Sequence, residues 1–212
     1  RPHEAMASVL GKADDVVGHA MIRFQMGAEV GGAADVVFTC AEPGWSLGDL
    51  ALSSGFTFFL DGIGDPGNAG TLVRSLVAFG GSGMICSPGT ADPYGPKAMR
   101  AGMGAQFLLP VVTEVSAADL VARLSALGGR GAPVPEVVVA DVHGGGDVRT
   151  VEAVGGLIVV LGSERLGPGG EWAGARRVSI AQSRFDSLNV AMAGTIFAYE
   201  LSRRVHPMQG GK

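Results

Sequence analysis

Six short apolar runs, none of them alternating, set the tightest limit on what this chain can fold into. They are Thr57–Ile63, Gly83–Ser87, Phe107–Val112, Glu136–Val142, Gly156–Ser163 and Arg177–Ala181. A strand with one wet face alternates apolar and polar residues, whereas a strand covered on both faces is apolar throughout. Helical segments separate the runs, at Ala69–Phe79, Pro96–Met103, Ser116–Leu127 and a short Val148–Val154. This succession implies an α/β domain whose parallel sheet is flanked by helices. Ser116 and Asp119 form an N-cap pair for the third helix, and Gly128-Gly129 stops it.

The first 56 residues lack this rhythm. Asp14–Met26 reads as a helix, Val36–Cys40 as a short strand and Ser46–Ser53 as another helix. We expect a small N-terminal α/β subdomain over residues 1–56 and a main domain over residues 57–212, with the boundary near Ser54-Gly55. The last long element is a helix over Ser187–Arg204. Asp186 or Ser187 caps it, and Arg203-Arg204 suits its C-terminal dipole. Between Leu188 and Leu201 its only polar side chains are Asn189, Thr195, Tyr199 and Glu200. Such a helix is buried on more than one side. It is either a central core helix or one that a second subunit covers.

Composition narrows the function classes. The chain has 212 residues, 47% hydrophobic and 17% charged, enough for one well-packed domain with a small appendage. A net charge of −4 argues against a uniformly basic nucleic-acid binder but leaves room for a local basic patch. Cys40 and Cys86 are the only cysteines, isolated and read as free buried thiols of a reducing compartment. His3, His19, His143 and His206 are scattered, and no metal-ligand spacing exists, so no metal is expected. No run reaches membrane-spanning length, and no signal-peptide pattern opens the chain. The chain begins at Arg1 rather than Met, which we read as either an expression form or a truncated product. The expected location is cytoplasmic.

One stretch carries chemistry. Phe58–Gly80 runs from an apolar strand into a loop with Gly62, Gly64, Gly67 and Gly70 around Asp65, Pro66 and Asn68, and then into a helix bearing Arg74. Such an arrangement binds something at the strand's C-terminal end. Gly62 to Gly67 matches G-x-G-x-x-G, so a Rossmann-type oxidoreductase is one reading. That fingerprint also needs a carboxylate about 20 residues on. Here the next strand ends Ile85-Cys86-Ser87-Pro88-Gly89, with no carboxylate before Asp92.

Two further segments change the reading. Leu157–Gly170 is LIVVLGSERLGPGG, and Asp186–Ala193 is DSLNVAMA. With DPGNAGTLVRSLVAFG they resemble, in order and spacing, the three motifs of the SpoU/TrmH class of SPOUT RNA 2′-O-ribose methyltransferases. The resemblance spans roughly residues 57–205, and Asp92–Ala105 is similar to the family's second loop and helix. It implies a SPOUT-type sheet with a C-terminal trefoil knot, a homodimer, S-adenosyl-L-methionine as cofactor and ribosomal or transfer RNA as substrate.

By resemblance the catalytic group is Asn68, Arg74, Glu164, Ser187 and Asn189. Arg74 then binds the phosphate beside the target ribose and orients its hydroxyl, because a guanidinium stays charged in proteins. Asn68 fixes the loop or contacts the substrate backbone. Glu164 organises the knot loop and the surroundings of Arg74. The cofactor lies against Leu161, Gly162, Ile180 and Leu188, with Ala140 and Asp141 at the mouth of the preceding strand. Arg23, Lys97, Arg100 and Arg184 form the expected RNA-binding strip. The third motif departs from the usual Ile-Pro-Met, reading Ile180-Ala181-Gln182 with one residue fewer before Leu188, and Gly102 stands where a serine is usual. A catalytically weak RNA-binding paralogue remains the alternative.

Overall fold

The structure is a computed structural model. It describes residues 19–22, 38–142, 144–151, 155–163, 167–183 and 188–205. Strands β1 (His19–Ile22) and β2 (Phe38–Ala41) form an antiparallel pair. The main sheet follows as β3 (Phe56–Asp61), α1 (Pro66–Ala78), β4 (Gly83–Cys86), α2 (Pro96–Gly102), β5 (Val111–Val112), α3 (Ala117–Gly129) and β6 (Glu136–Ala140). It ends with β7 (Gly146–Asp147), β8 (Leu157–Gly162), β9 (Arg176–Ser179) and α4 (Val190–Val205).

Seven strands lie in the order β5-β4-β3-β8-β6-β9-β7, and every neighbouring pair is parallel. The chain steps outward from β3 to β5, crosses back through α3 to β6, and later inserts β8 between β3 and β6. Side chains of successive strand residues go to opposite faces. Phe56, Phe58 and Leu60 therefore pack with Leu72, Leu76, Phe197 and Leu201 of α1 and α4. Phe59 faces the other way and packs with Ile85, Ile158, Val160, Leu120, Leu124 and Trp172. This two-sided burial is what the unbroken apolar runs require. Leu50 and Leu52 also pack into the second face.

Several local expectations change. His19–Ile22, inside the expected helix Asp14–Met26, is strand, because Phe38–Ala41 offers it a ladder that no local pattern reveals. The rest of that expected helix lies outside the described residues. Ser46–Ser53 forms turns, not a helix: the Asp49 carboxylate accepts from both the backbone and hydroxyl of Ser46, closing the chain on itself. The Phe107–Val112 run is strand only at Val111–Val112, with a 3-10 turn over Ala105–Phe107 and Pro110 between them. Val148–Thr150 is a 3-10 turn where a longer helix was expected. Helix α3 has the full capping box of Ser116 and Asp119 but runs through Gly129, two residues beyond the expected end at Leu127. Helix α4 begins at Val190 rather than Ser187.

Candidate functional site

In a parallel sheet, ligands bind beyond the C-terminal strand ends where the chain changes direction. Here that position is occupied by a cavity of about 880 Å³, within the range that holds a drug-sized ligand. Ala140, Asp141 and Val142 line it from the end of β6, Leu161, Gly162 and Ser163 from β8, and Ile180 and Gln182 from the segment after β9. Leu188 and the first turns of α4 close it. All six residues expected to hold the cofactor, Ala140, Asp141, Leu161, Gly162, Ile180 and Leu188, line this one cavity.

The walls are mostly backbone and apolar side chain, with few charges. Arg177 donates to the Asp141 carboxylate at the rim, an ion pair whose carboxylate is only 14% exposed. Gly162 is necessary as glycine: a Cβ there would stand 2.2 Å from the Pro168 nitrogen and 2.4 Å from the Gly167 carbonyl carbon. The backbone after β8 thus folds directly onto the strand end, tied by a Ser163–Gly167 bridge. Sequence reasoning missed Ala193 and Phe197, which also line the cavity. Their signal was available: Asn189, Ala193 and Phe197 recur every four residues and share one helix face.

The expected catalytic residues divide. Asn68 and Asn189 meet at the N-terminal ends of α1 and α4, where the Asn189 amide donates to the Asn68 side-chain oxygen at 3.2 Å. The Asn189 oxygen accepts from the backbone of Ala191 (2.9 Å) and Met192 (3.3 Å). Asn189 therefore takes the N-cap role expected of Asp186 or Ser187. Arg74 is exposed on α1. That helix packs on α4, with the Ser75 and Thr195 hydroxyls 2.7 Å apart. Glu164 and Ser187 lie outside the described residues.

Of the expected RNA-binding strip, Lys97 and Arg100 sit on α2, which packs against α1; Arg23 and Arg184 lie outside the described residues. The close approach of the two helices depends on Gly70, where a Cβ would be 2.2 Å from the Ala98 carbonyl oxygen. The loop glycine with a packing role is thus Gly70, and it meets a helix backbone rather than a ligand. Lys97 donates to the Asp65 carboxylate at 2.9 Å, and the same oxygen accepts from the Gly67 backbone, capping α1. Lys97 and the Gly67 N–H hold the Asp65 carboxyl below its usual range. Burial pushes the Cys86 thiol up to about 12, leaving it unreactive at neutral pH.

Residues 55–199 match the SpoU rRNA Methylase family. The chain belongs to this family. A 23S rRNA (uridine(2479)-2′-O)-methyltransferase of Streptomyces viridochromogenes is 33% identical over 142 residues, covering 66% of this chain and 49% of that protein. A 23S rRNA (adenosine(1067)-2′-O)-methyltransferase of Streptomyces laurentii is 30% identical over 167 residues, 76% of this chain and 59% of that one. The chain thus spans about half the length of these curated relatives. Among solved structures, the SpoU methyltransferase AviRb from Streptomyces viridochromogenes in complex with AdoMet superposes with a TM-score of 0.70 at 31% identity, covering 79% of this chain and 67% of that one. An rRNA methyltransferase from Sinorhizobium meliloti gives a TM-score of 0.67 at 31% identity, covering 79% and 63%. Membership of this family replaces the dinucleotide reading of Gly62 to Gly67.

Proposed function

We propose that the protein transfers a methyl group from S-adenosyl-L-methionine to a ribose 2′-hydroxyl of ribosomal RNA, with transfer RNA as the second substrate class. The observation that carries this is the convergence of all six expected cofactor residues on one cavity beside the Asn68–Asn189 contact. The cavity suits this cofactor in size, and its main-chain and apolar walls suit an adenine, while the Asp141 carboxylate can accept from sugar hydroxyls. The bound cofactor would supply an activated methyl on a sulfonium; the 2′-oxygen bonds to that carbon as the carbon–sulfur bond breaks, and the hydroxyl proton leaves to a base or to water.

The residues of this chain do the positioning. Alignment of reacting atoms can itself contribute several kcal/mol. Arg74, exposed on the third turn of α1, binds the phosphate next to the target ribose. Asn68, oriented by Asn189, fixes the loop that meets the ribose backbone. Glu164 and Ser187 complete the site by family resemblance, and Lys97 and Arg100 with Arg23 and Arg184 guide the RNA. Residues 1–56 form an auxiliary RNA-binding segment, and the enzyme works in the cytoplasm.

A trefoil knot in the C-terminal region belongs to this reading. It is supported by the insertion of β8 between β3 and β6, with β9 on the far side of β6 and the intervening loop folded back onto β8. A homodimer is supported by the outer face of α4, where the large side chains Met192 and Tyr199, two turns apart, stay 63% and 47% exposed. The test is to incubate the protein with labelled S-adenosylmethionine and total RNA, then map the product. Label on a ribose of ribosomal or transfer RNA is expected; label on a base, or none in RNA, sinks the proposal.

A further inference from the structure

Asp61 has no part in the motif reading, yet it sits where the two halves of the site join. It ends β3 and leads directly into the short loop before α1, whose first turn carries Asn68. In the β3–β8 register it lies opposite Gly162, a wall residue of the cavity. One oxygen of its carboxylate accepts two bonds from the return segment after β8: from the Gly169 backbone at 2.7 Å and from the Trp172 indole at 3.0 Å. Those partners are more than a hundred residues away in sequence. The same return segment supplies Gly167 and Pro168 to the cavity wall, pressed against Gly162.

Besides this carboxylate, the segment is held by the Ser163–Gly167 bridge and by the buried Trp172 ring. Its Gly-Pro-Gly-Gly sequence forms no long helix or strand, only the short turn Gly170–Trp172. Trp172 is buried, with its ring edge-on to Phe59 at 5.1 Å between centroids, so its N–H needs an acceptor inside the protein. A carboxylate is the stronger acceptor for both donors. Removing it would leave a buried indole N–H and a backbone N–H without a partner, a penalty larger than the bond itself.

We propose that Asp61 is a positioning residue for methyl transfer: it clamps the Gly167–Trp172 segment onto the end of β8 and so shapes the cofactor wall, while fixing where the chain leaves β3 toward α1 and Asn68. The proposal rests on the cavity being the S-adenosylmethionine site. It assigns Asp61 and Trp172 to cofactor affinity, although neither lines the cavity.

Calorimetric titration with S-adenosylmethionine tests it. Asp61→Ala should raise the cofactor Kd by about tenfold or more, and Asp61→Asn, which keeps an oxygen in place, should recover most of that loss. Trp172→Phe keeps a buried ring, removes one donor, and should raise the Kd by a smaller factor. In a Trp45→Phe background Trp172 is the sole tryptophan, and its emission should shift on cofactor addition and in Asp61→Ala. Cofactor affinity within about twofold of the parent in Asp61→Ala overturns the proposal; if that variant does not fold, an unchanged Kd in Trp172→Phe overturns it instead. Ala193→Phe, which fills the cavity, separates the two readings. If it leaves binding intact, the cavity assignment fails. If it abolishes binding while Asp61→Ala does not weaken it, only the clamp fails.

Discussion

The cavity and the α1–α2 face make opposite uses of the same strand ends. The cavity is built largely by backbone from β6, β8 and the segment after β9, with walls that are mostly apolar and an ion pair of Arg177 and Asp141 at its rim. The α1–α2 face is a helix surface of exposed polar and charged side chains, with Arg74, Lys97 and Arg100 projecting from it. A small, partly apolar ligand is held by shape and main-chain groups, so its site needs precise packing. A polyanion is held by charge at a distance, so its site needs only a rigid platform. The two regions meet where α1 packs on α4, through Leu72, Leu76 and Phe197 and through the polar contacts of Asn189 with Asn68 and Ser75 with Thr195.

The largest break in this comparison is Arg74→Ala. Loss of its positioning should lower methyl transfer by about 10²-fold or more while calorimetry finds cofactor binding unchanged; a matching loss of cofactor affinity would mean the two regions are not separable. Gly70→Val attacks the platform instead. Its side chain would meet the Ala98 carbonyl, so we expect a loss of about 1–3 kcal/mol, read as a fall of several degrees in melting temperature, with RNA binding weakened more than cofactor binding. A variant as stable as the parent would show that α1 and α2 need no glycine between them.

Asn189→Asp sharpens the boundary. An aspartate still caps α4 with its oxygens but has no amide to donate to Asn68, so stability should hold while transfer falls by about 3- to 10-fold. Equal activity would make Asn189 a cap and nothing more. The smallest effect concerns Asp65. Its carboxyl is held below the ordinary value by Lys97 and Gly67, so its stabilising contribution is present at neutral pH and lost as pH falls through the folded-state value. Melting curves of the parent and of Asp65→Asn should differ at pH 7 and converge below about pH 4; a gap that persists in acid would assign the effect to something other than charge.

The sheet, its two-sided burial and α1 to α3 were legible because each depends on neighbours in sequence. The unbroken run at Phe58–Leu60 and the Ser116–Asp119 cap need no knowledge of distant residues. The misreadings share the opposite cause. His19–Ile22 became strand because of a partner at Phe38–Ala41, and the cap of α4 moved to Asn189 because that side chain also had Asn68 to meet. Within the site, the cofactor residues could be named in advance through family resemblance, whereas Asp61 could not, since its partners Gly169 and Trp172 carry no motif.

By itself the sequence determined most of the sheet's strands, helices α1 to α4 and the family motifs they bear, because side-chain periodicity and local capping act over a few residues. Only the tertiary structure decided that β8 lies between β3 and β6. That insertion brings Ala140, Gly162, Ile180 and Leu188 around one cavity, and sets Asp61 beside the segment that closes it. Strand order depends on pairings between residues far apart in the chain, and no local pattern records those.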